Sequence, residues 1–267
     1  MRVDELLARG QTTSFEFFPP KSDAEREVLD AALVELSELK PSFVSVTYRG
    51  GASSRALTYG LVRRLREDGH IESMAHLTCV HHTRDELAEI LADYAAAGVE
   101  NLMLLGGDPD PDAGPAGDLR HAVELVALAR SVGEFCIGVA AHPSGHPDSP
   151  DLATDRRHLA DKLELADFAV TQLFFESVEW RRLVDELAAL GTTKPVVPGI
   201  MPLTTVSSAE RMRAMGGRVP QWLVDRLVEG RAAGPGGVRA AGVAAATTLC
   251  RELVADGAPG LHFYTLN

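Results

Sequence analysis

The stretch TSFEFFPPKSDAEREVLDAALVELSELKPSFVSVTY, residues 13–48, contains the first repeat of the fold. It opens on an apolar, aromatic run that two prolines end. It continues through residues 25–39, where apolar positions recur every three to four, and closes on a second β-prone run from Phe43. This pattern predicts strand, amphipathic helix, strand. Six similar runs follow: MAHLTCV from Met74, NLMLLGG from Asn101, FCIGVAAHP from Phe135, FAVTQLFF from Phe168, PVVPGIMP from Pro195 and LHFYTLN from Leu261. Helical spacing recurs between them at 84–97, 157–166 and 179–190.

Eight strands alternating with helices over 267 residues predict an α/β protein with one domain spanning 1–267. The fold class is a (β/α)8 TIM barrel rather than an open doubly wound sheet. The sequence stops with strand eight, so the barrel is expected to lack its final outer helix, while residues 1–9 are expected to close the barrel bottom. GGDPDPDAGPAGD from Gly106 reads as an active-site loop after strand four, and EGRAAGPGG from Glu229 as a break between two late helices.

A net charge of -12 without a Lys/Arg cluster argues against nucleic acid as a partner and favours a small molecule. Neither a signal-peptide core nor a run of membrane-spanning length occurs, so a soluble, cytoplasmic protein with no membrane partner is expected. Cys79, Cys136 and Cys250 form no CxxC pair, which fits a reducing compartment and suggests no zinc site. A homo-oligomer is compatible with the composition.

Barrel enzymes carry their chemistry at the C-terminal ends of the strands. Glu16, Thr47, His76, Asp108, His142, His146, Gln172 and Tyr264 fall there. Glu16 is flanked by Phe15, Phe17 and Phe18, and apolar surroundings should raise its pKa toward that of a general acid. The alternative is a structural Glu paired with a buried cation. Asp108 follows two glycines and reads either as a ligand-facing carboxylate or as a turn residue. Pro143 and Ser144-Gly145 between His142 and His146 argue against a helical metal pair, so no metal is expected; a cofactor contact or a loop cap remain. His76 alone reads as a satisfied barrel histidine. Gln172, as a buried amide, should bond either internal backbone or a ligand.

Taken together, SFEFFPPK, FVSVTYRGG, HLTCV, GGD, AAHPSGHP, TQLFFE, PGIMPLTT and HFYTLN resemble, in order from Thr13 to Asn267, the bacterial methylenetetrahydrofolate reductases. The resemblance implies a barrel that binds FAD and uses NADH or NADPH to reduce 5,10-methylenetetrahydrofolate to 5-methyltetrahydrofolate. It implies Glu16 as the acid, Asp108 beside flavin and pterin, and Gln172 on the folate, with Tyr264 grouped on the substrate side. Thr47 would meet the nicotinamide. Flavin contacts would fall on Tyr48, His76, Gly107, His146, Asp155 and Lys162, with His142 and His158 at two altered cofactor positions. Gly106 and Asp161 stand where the family has arginines, and each loss removes a bidentate phosphate clamp. His142 and His121 replace tyrosines, His158 an asparagine and Val206 a phenylalanine, and the chain stops before the arginine that follows the terminal Asn. These departures imply weak or absent FAD. Two alternatives are a reductase passing hydride directly from nicotinamide to folate, and a non-catalytic folate-binding or partner barrel. Arg49 is the candidate for compensation.

Overall fold

The computed structural model describes residues 1–48, 52–69, 71–108, 117–214, 217–265 and 267. Helix α1 (Val3–Arg9) precedes β1 (Thr12–Phe17), which stops before Pro19 and Pro20. Helix α2 (Asp23–Ser37) starts at Ser22, whose hydroxyl accepts from the Glu25 amide at 3.2 Å. The alternation continues through β2 (Phe43–Val46), α3 (Ala52–Gly69), β3 (Ser73–Thr78), α4 (Arg84–Ala96), β4 (Asn101–Leu105) and α5 (Ala122–Val132). It then runs through β5 (Cys136–Ala141), α6 (Leu152–Leu165), β6 (Phe168–Thr171) and α7 (Ser177–Ala189). A Thr83/Glu86 capping box opens α4, and Asp151 caps α6 several residues earlier than the apolar spacing alone indicates.

The seventh barrel strand is split. Its halves, β7 (Val196–Val197) and β8 (Gly199–Ile200), flank Pro198, which has no N–H to donate. Helices α8 (Val206–Ala214), α9 (Gln221–Ala232) and α10 (Gly237–Ala255) follow, and β9 (Gly260–Tyr264) is the last element. All pairings are parallel: β7 joins β6, β8 joins β9, and β9 joins β1 with Glu16 opposite Tyr264. Nine segments therefore close an eight-stranded barrel, and no helix follows β9 among the described residues.

Period-2 alternation divides the side chains between two cores. Outward residues such as Val44, Val46, Leu77 and Leu104 pack beneath the helices. Inward residues Phe43, Met74, Met103, Cys136 and Phe168 fill the lower barrel, where Val3 and Leu7 of α1 join them as a plug. The Val3 amide donates to Asn101 Oδ1 at 2.8 Å, as the expected bottom closure requires. A third cluster packs α8, α9 and α10 together; the predicted break over residues 229–237 is narrower in the fold, where residues 233–236 separate the last two helices. No described helix is long and apolar enough to cross a membrane. Most of the Gly106–Asp118 loop and Arg49 lie outside the described residues.

Candidate active site

Above the apolar plug the inward side chains turn polar. Ser14 and Glu16 from β1, Ser45 from β2, His76 from β3, and His262 and Tyr264 from β9 point into the barrel. His262 is fully buried, with Nδ1 2.8 Å from Ser14 Oγ and Nε2 3.7 Å from Glu16 Oε2. His76 Nε2 lies 3.5 Å from the same carboxylate oxygen. Glu16 thus sits between two imidazoles with its side chain 14% exposed. The Tyr264 ring meets His262 edge-on, and its hydroxyl donates to the Thr171 carbonyl at 2.7 Å across the split strand. Gly199 is required beneath it, since a Cβ there would stand 2.2 Å from Thr171 O and 2.6 Å from the tyrosine ring.

The ionisation of Glu16 differs from the expectation. Burial raises its pKa, but the His262 contact, the charges of His76 and His262, and the Ser45 hydroxyl outweigh it and hold the carboxyl below its usual range. Flanking phenylalanines suggested the desolvation; the imidazoles arrive from strands distant in sequence. Burial pushes the His76 imidazole down, against the pull of Glu16. Burial, together with the Glu16 carboxylate, pushes the Tyr264 phenol up.

The β5–α6 loop forms a second layer. Arg156 is 2% exposed. Its guanidinium donates to Asp155 Oδ2 and Pro143 O, each at 2.7 Å, to His142 O at 2.9 Å and to Glu186 Oε2 at 2.7 Å. Asp155 Oδ1 accepts from the His146 amide at 2.9 Å, and Lys162 Nζ donates to Ala140 O at 3.0 Å. The His142 and His146 rings meet edge-to-face at 4.7 Å. Burial, with His146 and Lys162 nearby, lowers His142 to about 4, so it is neutral at pH 7. Burial also lowers Lys162, against the pull of Asp155. His158 is exposed on α6, one turn from Asp155 and one from Lys162.

These residues match a known family across the chain. The methylenetetrahydrofolate reductase family model matches residues 2–267. The 5,10-methylenetetrahydrofolate reductase of Pectobacterium carotovorum is 35% identical over 256 residues, covering 95% of this chain and 85% of that protein. That of Escherichia coli is 33% identical over 270 residues, covering 99% and 90%. The chain belongs to the methylenetetrahydrofolate reductase family. A Clostridium thermocellum protein that binds two copies of 5-methyl-5,6,7,8-tetrahydrofolic acid shares the fold, with a TM-score of 0.72 at 13% identity, covering 100% of this chain and 94% of that one.

Set against the residues that a methylenetetrahydrofolate reductase leads one to expect, the geometry separates three groups. Glu16, His76 and Tyr264 meet inside the barrel, and Thr47 lies one alternation above Ser45 on the same face of the β2 segment. Asp108 and Gln172 are both exposed at the rim. Gln172 is therefore not the buried amide expected: β6 ends at Thr171, and its Oε1 accepts only a 3.4 Å contact from the next amide among the described residues. Tyr48 shares the outward face of Val44 and Val46, stacks on His82 and bonds His82 Nε2 at 2.5 Å. His262, Ser14, Ser45 and Arg156 were not singled out from sequence, although period-2 counting back from Tyr264 and Glu16 reaches His262 and Ser14.

The implied flavin finds a partial fit. Thr47 Oγ1, His76 Nε2 and Thr78 Oγ1 are buried without a hydrogen-bond partner among the described residues, at the upper ends of adjacent strands. Beside them Gly107 has φ +84, and a Cβ there would stand 2.5 Å from Val80 and 3.0 Å from Thr78. Unsatisfied donors next to such a narrow place suit the polar edge of a flat ring. The β5–α6 loop, where the resemblance would put the diphosphate, is poorer in charge, because Arg156 is spent on its own loop and His142 is neutral. The Asp4, Cys136 and Asp167 group at the barrel bottom does not look like a metal centre. Arg2 and Arg130 already pair its carboxylates, and burial pushes the thiol up to about 12.

Proposed function

We propose that this protein reduces 5,10-methylenetetrahydrofolate to 5-methyltetrahydrofolate with NADH or NADPH, using Glu16 as general acid. The observation that carries this reading is the Glu16 carboxyl, 14% exposed between two buried imidazoles at the floor of the barrel mouth. A folate ring seated above would displace the water still reaching it. That strengthens the desolvation already acting on the group and raises its pKa toward the protonated form. Glu16 then gives its proton to the departing folate nitrogen, the one-carbon bridge opens to an iminium, and hydride completes the methyl group. The resulting carboxylate again faces His76 and His262. Tyr264, its hydroxyl engaged by Thr171, offers the folate a ring wall rather than a donor. The direct test is oxidation of NADH or NADPH by methylenetetrahydrofolate, with 5-methyltetrahydrofolate identified by mass spectrometry. Absence of product with either reductant, with or without added FAD, overturns the reading.

Asp108 and Gln172, exposed at the rim, would recognise the pterin edge. Asp108→Asn is expected to lower folate turnover by about 10- to 100-fold, the range of one lost charged hydrogen bond. Nicotinamide binding, followed by fluorescence, should be unchanged. Equal loss of both would return Asp108 to a turn residue.

FAD, when bound, would relay the hydride from nicotinamide to folate. His76 and Thr78 would meet its ring and Thr47 the nicotinamide, while His146, His158 and Lys162 would stand on the phosphate side. With Gly106 and Asp161 in place of arginines, weak binding is expected, and the thin charge on this side favours a second reading in which nicotinamide donates hydride directly. Gly106 has no positive φ, and a Cβ there meets nothing within 4 Å. Gly106→Arg is therefore expected to tighten FAD binding by about tenfold or more, measured by flavin fluorescence quenching. Stoichiometric flavin surviving long dialysis of the wild type would refute weak binding.

A further inference from the structure

His82, in the turn between β3 and α4, is a buried side chain to which the proposed chemistry gives no task. Its Nε2 lies 2.5 Å from the Tyr48 hydroxyl, and the two rings stack with centroids 5.8 Å apart and planes 19° from parallel. On the other side of the imidazole, Nδ1 faces Glu86 Oε2 at 3.8 Å. That carboxylate favours the tautomer with its hydrogen on Nδ1, so Nε2 accepts and the phenol donates. Burial pushes the imidazole down and the phenol up, and both shifts favour the uncharged forms that this bond uses. The turn that delivers His82 is itself constrained. His81 takes φ +63, a left-handed conformation that a residue other than glycine adopts at a cost. Directly after it, the His82 carbonyl accepts from the Asp118 amide at 3.0 Å, and a Cβ on Gly117 would stand 2.8 Å from that carbonyl. The His82 main chain is thus fixed from the β4–α5 side while its ring reaches across to the end of β2.

What the ring holds is the chain just past β2. Ladder pairing with β3 ends at Val46 opposite Ala75. Beyond it, the Thr47 amide donates to Phe17 O at 3.0 Å and the Thr47 carbonyl accepts from Thr58 Oγ1 at 2.8 Å. Successive side chains alternate here, so a Tyr48 ring anchored on the outward face turns the Thr47 side chain into the barrel. Thr47 Oγ1 is buried there with no hydrogen-bond partner among the described residues. We infer that His82 is a positioning residue for the reductant: by holding the Tyr48 hydroxyl from the outer side of the strand, it fixes the Thr47 hydroxyl where the nicotinamide would take it as a partner. This rests on the proposed reduction by NADH or NADPH, with Thr47 on the nicotinamide. His82 acts through Tyr48 and Thr47 and moves no proton.

The test is binding of NADH and NADPH by fluorescence, beside steady-state KM and kcat, in wild type, Thr47→Val, Tyr48→Phe, His82→Phe and His82→Gln. Tyr48→Phe removes only the hydroxyl, and His82→Phe keeps a stacking ring without an acceptor. His82→Gln returns an amide to the place of Nε2. Tyr48→Phe and His82→Phe should each weaken nicotinamide binding and raise its KM by about three- to tenfold, the range of one neutral hydrogen bond. The KM for methylenetetrahydrofolate and kcat should stay close to wild type. His82→Gln should recover most of the loss. In a Thr47→Val background neither phenylalanine variant should weaken nicotinamide binding further, because the hydroxyl that the pair positions is gone. Unchanged binding in Tyr48→Phe and His82→Phe, with Thr47→Val impaired, overturns the inference and leaves the role of Thr47 intact. Unchanged binding in Thr47→Val removes that role and the positioning role with it. Equal losses toward nicotinamide and folate overturn the inference by assigning His82 to the stability of the fold alone. If His82→Phe does not fold, Tyr48→Phe decides by the same comparison. Because binding is read without turnover, failure of the proposed reduction shows separately, as absence of product with binding retained.

Discussion

Glu16→Gln is expected to lower methylenetetrahydrofolate reduction by about 10²- to 10⁴-fold, the usual cost of losing a general acid. The amide keeps the shape of the carboxyl and can still accept from the His262 side, but it has no acidic proton to give. Nicotinamide binding and the melting temperature should stay close to wild type, because the partners of the Glu16 side chain among the described residues are the histidines and Ser45 within the barrel. Steady-state assays with folate, run beside nicotinamide binding by fluorescence, make the comparison. Wild-type turnover in the variant removes Glu16 from the chemistry. The wild type should also respond to ligand in a defined direction: its carboxyl, held low by the imidazoles in the free protein, should titrate at higher pH once folate excludes water.

The second large effect concerns stability. Arg156→Met should cost about 3 to 5 kcal/mol, since it leaves the Asp155 carboxylate buried without its cation. The side chains of this pair are 3% and 9% exposed, so little solvent screening tempers the loss. The methionine would also abandon the carbonyls of His142 and Pro143, which the guanidinium now ties to α6. A fall in melting temperature of roughly 10 °C is expected for a domain of this size. Calorimetry checks it, and the paired variant Asp155→Asn with Arg156→Met should recover part of the loss, because the stranded charge is then gone. Equal destabilisation in single and paired variants would assign the cost to packing rather than to charge. A loosened loop should further weaken any ligand held by His146 and Lys162.

The architecture was legible in the sequence because its determinants are local. Apolar periods of two and of three to four alternate along the chain, prolines and caps mark the ends, and a parallel strand–helix alternation of this length closes into a barrel. Placing Glu16 at a strand end beside Pro19 and Pro20 needed only that pattern, and the order of motifs sufficed for the family. The split of the seventh strand was visible as Pro198 within PVVPGIMP, although its consequence for pairing was not. What the sequence did not reveal arises from register between distant segments. Ser14 and His262 are 248 positions apart, and only the pairing of β9 with β1 brings them together under Glu16. The direction of the Glu16 shift depends on that meeting: neighbouring phenylalanines signal burial, but the opposing imidazoles come from β3 and β9. Gln172 looked buried because its neighbours are apolar, yet β6 ends one residue earlier and leaves it at the rim. Arg156 was passed over because charge on a helix ordinarily faces water, whereas the fold wraps a loop around this one. Sequence by itself therefore determined the barrel, the family and the place of Glu16 at a strand end, which follow from local period and motif. Tertiary structure decided the direction in which that carboxyl's ionisation is shifted and the partners that shift it, because electrostatic interactions depend on distances through space rather than along the chain.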